Sequence, residues 1–152
     1  MPANSCMPIS DEPPLFAVSI RIGSKTNQLL EKSKYFSVNW IDFADRRLIS
    51  LLSESVDSDD KLKTFEVPYK LIFQTPVLIR AQAYAICEIQ LIQETGDHNL
   101  IIGKVIGAMA SLDFDQHWKF LDYSPILYLG SNFRNPFAKV QAKPRSRNES
   151  VT

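Results

Sequence analysis

The chain has 152 residues, 45% hydrophobic and 22% charged, and its 17 basic and 17 acidic side chains cancel. This suits one globular domain with a sizeable core and argues against a dedicated nucleic-acid binder, which carries a basic excess. No apolar run is long enough to span a bilayer, no signal peptide opens the chain, and Cys6 and Cys87 have no metal-ligand spacing. A cytoplasmic protein with free thiols, no membrane segment and no metal site is expected.

Residues 15–20 form a dense apolar run rich in strand formers, and Gly23-Ser24 breaks it. A short helix follows, capped by Ser24 or Thr26, with Leu29 and Leu30 as a narrow apolar face and Glu31, Lys32 and Lys34 in water. Residues 36–41 return as a strand. A helix start leaves backbone N–H groups unpaired and carries partial positive charge, which favours an anion. Arg21 and Lys25 flank it, and Ser24 and Thr26 add hydroxyl donors, so this is a candidate phosphate-binding corner. Taken alone, the local pattern favours an ordinary helix cap with a solvated lysine.

Leu48, Leu51, Leu52 and Val56 have helical spacing, which predicts a helix over 45–55. Residues 55–63 read as a surface loop or a short helix capped at Ser58 or Asp59. The acidic group Asp57, Asp59 and Asp60 lacks the glycine and glutamate of a calcium loop. Residues 81–94 alternate, with Ala81, Ala83, Ala85, Cys87, Ile89 and Leu91 on one face. A turn over 95–98 and a strand over 100–110 complete a long antiparallel hairpin. Gly103 and Gly107 in its second strand signal bulges or close backbone approach. Residues 113–122 read as a connection, 125–129 as a last strand, and 138–152 as a mobile tail after a domain over 1–137. Long antiparallel strands with few helices predict a β-barrel or sandwich.

Four segments in this order resemble the flavin reductase-like, FMN-binding split β-barrel family: NSCMPIS at 4–10, GSKTNQLL at 23–30 leading to FSVN, TGDHNLIIGKV at 95–105, and SPILYLGSNF at 124–133. The resemblance covers most of the chain from Asn4 to Phe133. It implies a mainly β fold, a six-stranded antiparallel split barrel with a few short helices, and a homodimer with one flavin per subunit near the interface. It implies that Asn4, Ser5, Cys6 and Met7 lie along the flavin ring. Ser24, Lys25 and Thr26, beside Arg21, would hold the phosphate, and His98 would lie where a nicotinamide approaches. On its own, a histidine after Gly-Asp at a hairpin tip is an ordinary turn residue, and Cys6 is a packed thiol, since nothing nearby in sequence activates it. Trp40, Tyr84, Tyr128 and Phe133 read as core or interface aromatics, the last two being the first to examine near a flavin. His117, in a polar connection, has no assigned role.

Family members begin with further residues that supply a first strand and a loop beside the flavin. Here Met1 falls almost on the ring-binding segment, so either the true start lies upstream or the chain is a shortened form, with a barrel one strand short and weakened cofactor affinity. The resemblance implies an FMN protein (FAD being the other option) with NAD(P)H as transient electron donor. Its activity would be that of an NAD(P)H-dependent flavin reductase or a flavoredoxin-like electron-transfer oxidoreductase with a downstream acceptor. A non-catalytic flavin-binding or storage module and a cofactor-free structural dimer are the alternatives.

Overall fold

The computed structural model describes residues 1–54, 56, 60–111, 126–128 and 137–139. Five antiparallel strands make the main sheet: β1 (Cys6–Asp11), β2 (Pro14–Arg21), β3 (Tyr35–Trp40), β6 (Ala83–Thr95) and β7 (His98–Ala110). Their order is β1-β2-β7-β6-β3. Two two-stranded antiparallel sheets are separate from it, β4 (Tyr69–Ile72) with β5 (Thr75–Leu78), and β8 (Ile126–Tyr128) with β9 (Phe137–Lys139). The helices are short: α1 (Lys25–Leu30), α2 (Arg46–Ser53) and α3 (Lys61–Thr64). The fold is therefore mainly β and antiparallel, as expected. Where six strands were anticipated with allowance for one fewer, the main sheet has five and does not close among the described residues. In that same set no helix is long and apolar enough to cross a membrane.

The sheet curls. Phe16 on β2 meets Trp40 on β3 edge-to-face at 5.8 Å, although β7 and β6 lie between their strands. The enclosed face buries Phe16, Val18, Ile20, Phe36, Ala85, Cys87 and Ile101, which supply the main hydrophobic driving force. Gly103 lies at the tightest point. A Cβ there would come within 2.6 Å of the Phe36 ring and 2.7 Å of the Cys87 Cβ. The expected close approach is real at this glycine. Gly107 instead has open space where a Cβ would lie and pairs with Ile86 beside a register shift.

A second shift, between Ile89 and Leu91, alters the predicted face of β6. Gln90 is the extra residue, and a bulge reverses the alternation beyond it. Ile92 accordingly packs against the core, while Leu91 is 46% exposed.

A second cluster forms where Leu52 of α2, Val67 and Leu78 of β5 pack together, with Leu62 and Phe65 from the α3 region. Side chains fasten it to the sheet. Asn39 Oδ1 accepts from the Leu78 amide at 3.0 Å, and the Ser37 hydroxyl donates to the Pro76 carbonyl at 2.5 Å. Asp45 takes a two-pronged contact from Arg80, at 2.6 and 3.1 Å. The β4–β5 turn uses Phe73 and Gln74, both at positive φ. That conformation ordinarily calls for Asn or Gly, so the hairpin has no sequence signature. Asp60 caps α3, its Oδ1 accepting from the Lys63 amide at 3.2 Å. The expected caps, Ser58 and Asp59, lie outside the described residues, as do Asp57, the connection over 113–122, His117, Phe133, the Tyr128 side chain and the chain beyond Lys139.

Two outcomes follow from the packing. Gly103→Ala lowers stability by about 1–3 kcal/mol, the usual cost of overpacking, whereas Gly107→Ala does not; urea midpoints compare them. Burial raises the Cys87 thiol from 9.0 to about 11. Between those pH values the unfolded chain has lost this proton and the folded one keeps it. Stability therefore falls as pH rises, by about 1.4 kcal/mol per unit for one proton. Urea midpoints at pH 8 and 10 drop less for Cys87→Ala than for wild type.

Candidate functional site

The chain leaves β2 through Gly23, whose φ of +78° suits a residue without a Cβ. Ser24 follows in extended conformation and caps α1, its Oγ accepting from the Asn27 amide at 3.2 Å. Two backbone bonds pin this corner. The Ser24 amide donates to the Arg21 carbonyl at 3.2 Å, and the Ile22 amide donates to the Asp97 carbonyl at 3.0 Å. The second ties the corner to the β6–β7 turn, where Gly96 also has positive φ. The first turn of α1 carries no acidic residue, which suits an anion. Lys25 is exposed and Thr26 half-buried.

His98 begins β7 and pairs directly with Arg21 at the end of β2. Its Nδ1 lies 2.7 Å from Asp97 Oδ1. The His98 hydrogen bond is the main reason the Asp97 carboxyl is held below the usual carboxylate range, and Arg21 adds a small contribution. With Nδ1 committed to Asp97, Nε2 is the ring nitrogen left for a ligand.

The N-terminal segment reaches the same end of the sheet. The Ser19 amide donates to the Ser5 carbonyl at 2.9 Å, and Cys6 and Met7 pair with Val18 and Ala17. Ser19 is two residues before Arg21, about 7 Å along the strand. Asn4 and Ser5 are exposed, with the Ser5 hydroxyl donating to Asn4 Oδ1 at 3.2 Å. Met7 is 59% exposed. Burial raises the Cys6 thiol, which makes it a packed group rather than a ready nucleophile. Arg21, Ser24 and His98 thus meet at one end of β2 and β7, and residues 4–7 run along β2 from its middle toward that end. Trp40 and Tyr84 do not join them. They line an apolar cleft of about 350 Å³ beside Ala108 and Met109, toward the other end of the β6–β7 hairpin.

Two residues of the corner were not foreseen. Asn27 and Asn99 are buried, 2% and 7% exposed, and the Asn99 Nδ2 donates to Asn27 Oδ1 at 2.9 Å. The available signal was an asparagine in the inward alternation Asn99, Ile101, Gly103.

Fold and corner together define an open, curled antiparallel sheet with a cation- and hydroxyl-bearing corner beside a histidine hairpin tip. The model of the flavin reductase like domain matches residues 1–136, and the chain belongs to that family. Membership supports a flavin-related oxidoreductase role. An FMN-binding protein from Thermus thermophilus, solved with bound p-hydroxybenzaldehyde, is similar at 26% identity and a TM-score of 0.76, covering 91% of this chain and 75% of that one. The NADH:FAD oxidoreductase SgcE6 of Streptomyces globisporus is similar at 25% identity and a TM-score of 0.65, covering 71% and 65%. An uncharacterized protein of Aeropyrum pernix is 28% identical over 91% of this chain, and the chain spans 55% of that relative's length.

Proposed function

We propose that this chain binds FMN and works as an NAD(P)H-dependent flavin reductase or a flavoredoxin-like electron-transfer protein. The observation that carries the reading is the pairing of Arg21 with His98, one backbone hydrogen bond away from Ser24. It brings the anion corner and the nicotinamide candidate to one edge of the molecule. The residues there suit a flavin phosphate. Ser24 Oγ accepts from Asn27 and keeps its own proton to donate, Thr26 supplies a second hydroxyl, and Arg21 and Lys25 supply charge. When bound, the flavin supplies the redox chemistry, accepting hydride and passing electrons onward.

The protein's part is placement. Ser24 and Thr26 hold the phosphate. Asn4, Ser5, Cys6 and Met7 bound the ring through their backbone and small polar groups. His98, oriented by Asp97, offers Nε2 to the nicotinamide. Hydride transfer depends on proximity and orientation, so no general acid or base is assigned. The same reading includes a homodimer and a downstream electron acceptor. FMN is preferred to FAD through the likeness to the Thermus protein, an FMN-binding protein; NADH as donor draws support from the likeness to SgcE6, an NADH:FAD oxidoreductase.

Ser24→Ala combined with Thr26→Ala weakens FMN binding by about 1–3 kcal/mol, the scale of hydrogen bonds to a charged group. It also lowers stability by about 1 kcal/mol through loss of the cap. Titration by flavin fluorescence on folded protein separates the two, and unchanged affinity would remove the phosphate assignment. His98→Ala raises the half-saturating NAD(P)H concentration up to about tenfold, the scale of one lost hydrogen bond between neutral groups, and leaves FMN affinity near wild type. Equal losses in both would make His98 a structural residue. FMN retention without NAD(P)H oxidation would instead define a flavin-binding module.

A further inference from the structure

The buried pair Asn27–Asn99 joins two elements that are 72 residues apart in sequence. Asn27 follows directly on Ser24, Lys25 and Thr26, and Asn99 follows directly on His98. Both polar atoms of the Asn27 side chain are used. Its Nδ2 donates to Glu31 Oε1 at 2.7 Å, and its Oδ1 accepts from Asn99 at 2.9 Å. The orientation is fixed by chemistry. An ionised Glu31 can only accept, so the Asn27 amide nitrogen must face it, and the oxygen is left for Asn99. The Asn27 backbone amide meanwhile donates to Ser24 Oγ. Asn99 stands opposite Ile20, a core residue, where an apolar side chain would serve packing better. A carboxamide buried there without a partner would be costly. The pair therefore tolerates only one spacing between α1 and the first residues of β7.

We propose that the Asn27–Asn99 hydrogen bond is a clamp that positions the His98 tip against the Ser24–Thr26 corner, so that donor and phosphate anchor keep a fixed separation. In this reading neither asparagine contacts the ligand. Both act through their neighbours and are positioning residues. The functional half of this inference rests on the flavin reading, while the mechanical half does not.

The test uses the full chain in three forms: wild type, Asn99→Leu, and the double variant Asn27→Asp with Glu31→Gln. The double variant rebuilds the network, since the carboxylate introduced on α1 can accept both from Asn99 and from the carboxamide introduced one turn later. Amide hydrogen exchange without any ligand is read first. The clamp requires faster exchange at residues 97–99 and 25–28 in Asn99→Leu, at protection elsewhere like that of wild type, and wild-type exchange at both segments in the double variant. Unchanged exchange at both segments in Asn99→Leu, or uniform loss across the sheet, overturns it. With FMN and NADH as probes, Asn99→Leu raises half-saturating NADH about tenfold, the scale of one buried hydrogen bond, with a smaller change in FMN affinity. At saturating FMN the double variant keeps half-saturating NADH near wild type, while its FMN affinity falls because a carboxylate now stands in the first turn of α1. Equal losses in both affinities in Asn99→Leu, or a folded double variant whose half-saturating NADH rises like that of Asn99→Leu, overturn the positioning role. If wild type binds no FMN, the flavin reading fails, and the exchange data still decide the clamp.

Discussion

The antiparallel register between β2 and β7 is the constraint on which the rest depends. It runs from Leu15 opposite Lys104 to Arg21 opposite His98. One setting of these strands places Phe16 opposite Gly103, Ile20 opposite Asn99, and Arg21 opposite His98. A slip of one residue would send each side chain to the other face. The tight packing beneath the Phe36 ring, the buried amide pair and the outer corner would then be lost together. Core and site are consequences of the same ladder.

That ladder also accounts for the division of labour along the sheet. Its middle is apolar and closely packed, with Gly103 allowing Phe36 to lie across the strands. Its end is polar and held by backbone bonds: Ile22 to Asp97, Ser24 to Arg21, Ser19 to Ser5. The backbone of a corner built this way is held in place by the scaffold itself. The β4–β5 hairpin and α2–α3 form a separate cluster attached through Asn39, Ser37 and Asp45. They thicken the domain at β3, away from the corner.

Much of this was readable from sequence wherever the determinants are local. The run at 15–20, the Gly23-Ser24 break and the alternation at 81–94 located β2, the start of α1 and β6 because side-chain periodicity and glycine conformations act within a few residues. The features that escaped are those without a local signature. Phe73 and Gln74 occupy positive φ in place of Asn-Gly, so the β4–β5 hairpin was silent. The Gln90 bulge exchanged Leu91 for Ile92 through a pairing shift that only the partner strand reveals. Asn27 and Asn99 read singly as a helix residue and a turn-proximal polar residue.

By itself, the sequence determined the class of fold, the strand and helix order around the corner, and membership in a recognisable family. Those follow from hydrophobic period, turn chemistry and segment order, all encoded in neighbouring residues. Only the tertiary structure decided that Arg21 faces His98, that Ser5 reaches Ser19, and that Asn27 meets Asn99. Each of these depends on strand register and sheet curl, which are settled by packing between residues far apart in the chain rather than by the preferences of any one segment.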